Sequence, residues 1–314
     1  KTAYEIRPRD WSSDVCSSDL GAVKVHAGEA ARNLINEVGK HRLLSSRFVL
    51  TQDDDMKLAD DVKARWVIRG YLDPDIQDLD TSAPTLSSEG LSVTLQLISS
   101  NRWRMKIGDV EAAFLRGDLL HREKGKVLVK LPPGGIPGLS EDSVIELVRP
   151  VYGLADAPQA WYKSVSQFLV GCGMNQSRLD PCTFHLKDAN GKLRGALAIH
   201  VDDLVLGGDS YFDSHVVEPL QKKYPFKHWH DGSGDFLGKK VKQLEDFSIV
   251  ISQKDYAGSV TPIKISRERR KQKNSDIDEN ERTQMRALLG EINWMTVCSR
   301  PDLSATCSLL QQKV

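Results

Sequence analysis

The sequence predicts an α+β fold, and three features predict it. Ala198-Ile199-His200-Val201-Asp202-Asp203-Leu204-Val205-Leu206-Gly207-Gly208 sets two adjacent carboxylates between two apolar, β-prone runs, which reads as strand, tight turn, strand. Just upstream, residues 182–186 and 193–200 read as strands joined across Asn190-Gly191, a strong hairpin signal. Helical spacing of Leu91, Leu95, Leu97 and Ile98 within 87–99, and a helix over about 157–171, set helices among these strands.

The elements follow in order. Residues 21–42 read as helical with little amphipathic character. Residues 44–51 and 62–71 read as strands joined by an acidic turn over 52–61. Alternation along the second strand puts Lys63, Arg65, Val67 and Arg69 on one face, either an exposed strand surface or a cradle for phosphates. A loop over 73–84 leads to the 87–99 helix, with Ser87 or Ser88 as N-cap. A strand at 103–109 and a short helix near 112–116 follow. Two more strands cover 127–131, closed by Pro132-Pro133-Gly134-Gly135, and 144–148.

Tyr152-Gly153-Leu154 turns into the 157–171 helix, with Pro158 in the first turn, where proline is tolerated. Beyond the Asp-Asp hairpin come a helix over 211–223, strands at 226–230, 235–241 and 247–252, and a short helix to about 260. A basic stretch at 264–273 and an acidic one at 275–281 read as an exposed, mobile linker, followed by helices at 282–297 and 304–310. His228 and His230 alternate on a strand with no partner Cys or His in sequence, and read as a surface pair. Trp161 and Tyr162 read as core residues.

Composition excludes little. The 43 Lys and Arg balance 43 Asp and Glu, so net charge neither supports nor forbids a nucleic acid partner. No apolar run approaches the roughly 18 residues of a membrane span, so a soluble protein without a membrane partner is expected. Cys172, Cys182, Cys298 and Cys307 form no close Cys-x-x-Cys pair and read as reduced core thiols. Residues 1–20 look like a translated sequencing adapter rather than a signal peptide, although a natural Ser-rich tail is the alternative. On the first reading, natural coding begins near Gly21, inside a longer frame.

The chemistry sits in the carboxylates. Adjacent acids at a hairpin tip repel one another, and their burial calls for a countercharge. Mg²⁺ is the usual one, because it takes carboxylate and phosphate oxygens. A second acidic segment, Gly108-Asp109-Val110-Glu111, ends the 103–109 strand. If Asp109 and Asp202 converge, they can hold two ions about 3.5–4 Å apart, the arrangement for in-line phosphoryl or nucleotidyl transfer.

Taken in order, several blocks resemble the reverse transcriptase domain of copia-type retrotransposon polyproteins. They are Lys63-Ala64-Arg65-Trp66-Val67-Ile68-Arg69-Gly70, Asp109-Val110-Glu111-Ala112-Ala113-Phe114-Leu115-Arg116-Gly117-Asp118 and Pro132-Pro133-Gly134. Tyr152-Gly153-Leu154-Ala155-Asp156-Ala157-Pro158-Gln159-Ala160-Trp161-Tyr162 and His200-Val201-Asp202-Asp203 come next. Phe236-Leu237-Gly238, Ile251-Ser252-Gln253 and Ser299-Arg300-Pro301-Asp302-Leu303 complete the set. The resemblance runs from about residue 43 to the end.

The resemblance implies a right-hand polymerase fold: fingers, a palm whose antiparallel sheet packs on helices, and a partial thumb or connection. It divides the chain into fingers and palm over 21–260, a charged linker over 261–281, and the helical start of a thumb over 282–314. It implies RNA-directed DNA polymerase activity with two Mg²⁺ ions, or Mn²⁺ in their place. The implied metal ligands are Asp109, Asp202, Asp203 and the backbone carbonyl of Val110, the three aspartates being catalytic. Lys63, Arg65, Phe114, Tyr152 and Gly153 would bind the dNTP, with Phe114 as an aromatic gate against a 2′-hydroxyl. Phe236, Leu237 and Gly238 would grip the primer. A core Phe, ordinary turn chemistry at Gly153 and a plain hairpin at 236–238 are the alternatives for these roles.

The implied partners are a primed RNA or DNA template, dNTPs, and the ribonuclease H and integrase domains of the parent polyprotein. The implied setting is a cytoplasmic particle or the nucleus. The chain departs from the family pattern at His200, where Tyr is usual, and at Asp156, where Gln is common. These departures motivate a second reading, an inactive retroelement remnant that only binds nucleic acid. A metal-dependent nuclease is a third, for which no nearby His or Lys base is evident in the sequence.

Overall fold

The structure is a computed structural model that describes residues 21–51, 63–123, 125–272 and 275–313. The adapter-like segment and the acidic 52–61 turn lie outside the described residues. In chain order, the first half contains β1 (Val23–His26), α1 (Gly28–Val38), β2 (Leu43–Leu44), β3 (Ser46–Thr51), β4 (Lys63–Ile68), α2 (Ser88–Ser100), β5 (Arg104–Val110), β6 (Leu128–Lys130) and β7 (Val144–Leu147). Then come α3 (Ala157–Gly171), β8 (Met174–Gln176), β9 (Thr183–Lys187), β10 (Leu193–His200) and β11 (Asp203–Gly208). A helix follows in three pieces, α4 (Ser210–Phe212), a π turn (Asp213–Val217) and α5 (Glu218–Lys223). The remainder is β12 (Phe226–Asp231), β13 (Ser233–Phe236), β14 (Lys239–Gln243), β15 (Ile249–Ser252), α6 (Lys254–Ser259), α7 (Arg267–Lys271), α8 (Glu279–Cys298) and α9 (Ser304–Gln311).

The centre is a six-stranded sheet in the order β12-β5-β11-β10-β9-β8, antiparallel throughout. Alternation gives it two apolar faces. Leu204, Leu206, Leu197, Ile199 and Phe184 face one way, onto Trp161, Val165 and Leu169 of α3 and the helix at 210–223. Val205, Ile107, Met105 and Ala198 face the other way, onto Leu91, Leu95 and Ile98 of α2 and onto Phe236 and Val241. Gly195 and Gly208 pair across β10 and β11 and leave a notch for the fully buried Phe212 ring, which a Cβ at either position would strike.

A four-stranded sheet, β1-β7-β6-β2, and the β3–β4 hairpin share a second core of Leu44, Trp66, Ile68, Val129, Ile145 and Leu154. This arrangement corrects the helix expected over 21–42. Its first residues form β1, paired with β7, because Ala22 and the ladder are completed by a strand more than a hundred residues away. The strand expected over 235–241 is likewise a hairpin, broken at Leu237 and Gly238, both with positive φ. Part of the expected linker is helical. Arg269 of α7 holds Glu281 and the carbonyl of Asp276, and Asp278 caps α8 in a reciprocal box with Glu281. Among the described residues, no helix is long and apolar enough to cross a membrane.

Candidate active site

The Asp-Asp segment is a two-residue hairpin. His200 pairs with Asp203, leaving Val201 and Asp202 as the loop. Val201 carries φ +57°, the strained position of a type II′ turn, where glycine is the usual residue. A β-branched residue there persists only if its surroundings hold it. Two hydrogen bonds do so. The Trp161 indole N–H donates to the Val201 carbonyl at 2.6 Å, and the Val110 N–H donates to the Asp202 carbonyl at 2.9 Å. Trp161, expected only as core, is thus also the strut under the turn.

β5 brings in the third acid. Asp109 lies directly opposite Asp203 in the β5–β11 ladder, so their side chains share a face. Burial raises the pKa of Asp203 to about 7, and the charges of Asp202 and Asp109 add to the effect. Burial also raises that of Asp202, Asp109 pushing the same way, while its own backbone N–H, His200 and Arg65 oppose the shift. Arg65, on β4, therefore reaches the field of the Val201-Asp202 turn from the β3–β4 hairpin. Lys63 begins β4, and its side chain lies outside the described part. Arg69 falls beyond the strand, so the expected face of three cations is not continuous.

The set suits a hard divalent cation: three carboxylates, crowded enough to resist full ionisation alone. Among the described residues, no three His, Cys, Asp or Glu side chains close around one point. The Val110 side chain is buried beneath the carboxylates.

Phe114 is half-buried at the seam of the two cores and meets Tyr152 edge to face at 5.0 Å. Tyr152 and Gly153 are stitched to the β4 end. The Ile68 N–H donates to the Tyr152 carbonyl at 2.9 Å, and the Gly70 N–H to that of Gly153 at 3.1 Å. Gly153 has φ +93°, and a Cβ there would land on the Ile68 carbonyl. Its glycine is required by close backbone approach. Leu237 and Gly238 form a tight turn between Phe236 and Lys239, both loop residues having positive φ as in a type I′ hairpin.

A cleft of about 500 Å³ joins the carboxylates to this last turn, bounded by Asp109, Asp203, His228, His230 and the segment Asp235-Phe236-Leu237-Gly238; Arg65, Phe114, Tyr152 and Gly153 do not line it. Sequence reasoning missed His228 and His230 as part of it. Both are exposed, as expected, but they border the carboxylates. Only the pairing of His228 with Asp109 reveals this, and no local signal encodes it. Asp156 does not face the cleft. It pairs bidentately with buried Arg122 (2.5 and 2.9 Å), which also meets Asp73 at 3.3 Å. The Asp156 carboxylate is thus neutralised by Arg122.

An antiparallel sheet with clustered acids at one hairpin and Arg65 within electrostatic reach of them defines a palm-type polymerase fold. Its likeness to the foamy viral protease–reverse transcriptase in complex with double-stranded DNA is one of fold: TM-score 0.50 at 10% identity, covering 100% of this chain and 45% of that one. Residues 30–266 match the reverse transcriptase (RNA-dependent DNA polymerase) family, and the chain belongs to that family. It is 27% identical over 265 residues to the retrovirus-related Pol polyprotein from transposon RE2 of Arabidopsis thaliana. It is also 27% identical over 215 residues to the transposon Ty1-DR1 Gag-Pol polyprotein of Saccharomyces cerevisiae. These alignments cover 80% and 66% of this chain but only 17% and 11% of those polyproteins.

Proposed function

We propose that this chain is the catalytic core of a copia-type element's reverse transcriptase, extending a primer on an RNA or DNA template by nucleotidyl transfer from dNTPs. The observation that carries the reading is the juxtaposition of Asp109 with the strained Val201-Asp202 turn, in a chain that belongs to the reverse transcriptase family. Asp109, Asp202 and Asp203 would hold Mg²⁺, with the Val110 carbonyl as a further ligand. When bound, the metal would lower the pKa of the primer 3′-hydroxyl and neutralise charge at the transferring phosphorus.

The protein's own residues do the rest. Arg65 presents a guanidinium toward the catalytic turn, suited to the triphosphate. Lys63 is assigned to the same phosphates from its place on β4. Phe114, braced by Tyr152, would act as the aromatic gate against a 2′-hydroxyl. Gly153 keeps the end of β4 docked on the Tyr152-Gly153 segment. Phe236, Leu237 and Gly238 border the cleft beside the carboxylates and would seat the primer end. Ribonuclease H and integrase domains would accompany this core in a polyprotein, with synthesis in cytoplasmic particles.

The test is primer extension on an RNA template with Mg²⁺ or Mn²⁺. The parent chain is expected to extend, and Asp202→Asn to fall to background. Extension by that variant at the parent's rate would remove the site assignment. A folded parent that binds a primed template but never extends it would favour the inactive-remnant reading. That reading rests on His200, whose buried Nδ1 has no hydrogen-bond partner among the described residues. Asp156 no longer supports it, since Arg122 accounts for that acid.

A further inference from the structure

The carboxylate row has a neighbour on its other side. β5 lies between β11 and β12, and Asp109 is opposite Asp203 on one and His228 on the other. Directly opposed residues share a face, their Cβ atoms about 4.5–5.5 Å apart. Asp203, Asp109 and His228 therefore form one line across the sheet. His230, opposite Ile107, lies one row behind.

A bulge arranges this. Between Phe226 and His228 the β12 ladder advances two residues while β5 advances one, so Lys227 is the extra residue. A bulge re-aims the side chains that follow it. Phe226 and Trp229 both turn inward, edge to face at 4.7 Å, over Gly108, whose missing Cβ makes room for both rings. His228 and His230 are left on the cleft side, with their rings near parallel (13°) and centroids 6.0 Å apart. They line the same cleft as Asp109, Asp203 and the 236–238 turn.

We propose that His228 and His230 form a phosphate-binding edge of the catalytic cleft, an inference that rests on the polymerase reading above. An imidazole presents at least one N–H donor in either protonation state. Two such donors stand on a rigid strand, at the border of a cleft whose other polar groups, Asp109, Asp203 and Asp235, are all acids. Those acids demand a cation and repel a bare phosphate. The histidines supply donors to a phosphate that approaches beside the cation. The phosphate is either a primer-strand phosphodiester or the nucleotide's triphosphate.

The experiment separates these sources without catalysis. A fluorescent primer–template duplex is titrated by anisotropy in EDTA, and inorganic tripolyphosphate by calorimetry, against the parent, His228→Ala/His230→Ala and His228→Gln/His230→Gln. Loss of two charge-assisted hydrogen bonds is expected to weaken one ligand by about tenfold or more, with the Gln pair, which keeps an N–H donor, recovering part of it. Weakened duplex binding alone assigns the edge to the primer strand. Weakened tripolyphosphate binding alone assigns it to the nucleotide. Unchanged affinity for both ligands, in an Ala pair with the parent's circular dichroism and melting temperature, overturns the proposal. A parent that binds no duplex at all would instead overturn the polymerase reading.

Discussion

Val201, Ala112 and Leu237 each adopt positive φ without being glycine, and each stands beside a proposed catalytic or primer-gripping segment. Such backbone costs about 1–3 kcal/mol per residue and survives where the surroundings over-determine it. At Val201 the Trp161 indole is one of the restraints. Trp161→Phe keeps the ring volume class but removes the donor. It is expected to cost about 1–2 kcal/mol in urea unfolding and to reduce extension more than that loss of stability explains. A loss of stability with extension unchanged would show that the strut does not position the turn. Asp203 is the second residue-scale test. Its carboxyl is raised to about 7 in the folded chain, so the folded state binds the extra proton. Stability therefore falls as pH rises from the ordinary carboxylate range through about 7. Asp203→Asn is expected to stabilise the metal-free protein by on the order of 1–3 kcal/mol at about pH 8, and not at about pH 4. Equal melting curves at both pH values would mean that the carboxylates do not repel as described.

Among the elements, β4 depends on a joint it does not itself encode. Its end is hydrogen-bonded to Tyr152 and Gly153, and the two backbones are too close for a side chain at either Gly70 or Gly153. Gly153→Ala combines a left-handed backbone with a steric clash. It is expected to destabilise by about 2–4 kcal/mol and to raise the KM for dNTP more than it lowers kcat, since Arg65 rides on that strand. An unchanged KM in a folded variant would detach the β3–β4 hairpin from nucleotide binding. The helix at 210–223 shows the converse case. It was legible as one helix from its residues, and its π turn at Asp213–Val217 was not. Phe212 seated in the Gly195–Gly208 notch is the anchor beside that turn.

At the scale of the molecule, a buried charge network ties distant segments together. Arg42 holds Asp75 with both terminal guanidinium nitrogens, at 2.9 and 2.5 Å, and Arg122 holds Asp73 and Asp156. The four segments involved enter the same side of the molecule from residues 42, 73–75, 122 and 156. Removing one partner leaves a buried charge alone, so Arg122→Met is expected to cost about 3–5 kcal/mol. Adding Asp156→Gln to it should return part of that loss, read by the non-additivity of the two variants in denaturant unfolding. Strict additivity would mean that the two groups do not act as a pair.

The sequence by itself determined the antiparallel hairpin with its Asp-Asp tip, helices α2 and α3, a serine cap at 87 or 88, and the order of motifs that marks the family. These are set by near-neighbour chemistry: period, capping and turn residues act within a few positions. Tertiary structure alone decided that 23–26 is a strand, that Asp156 belongs to Arg122, and that His228 stands beside Asp109. Each depends on a partner tens to more than a hundred residues away. A strand edge, an ion pair or a cross-strand neighbour is a property of the pairing, and neither partner's local sequence carries it.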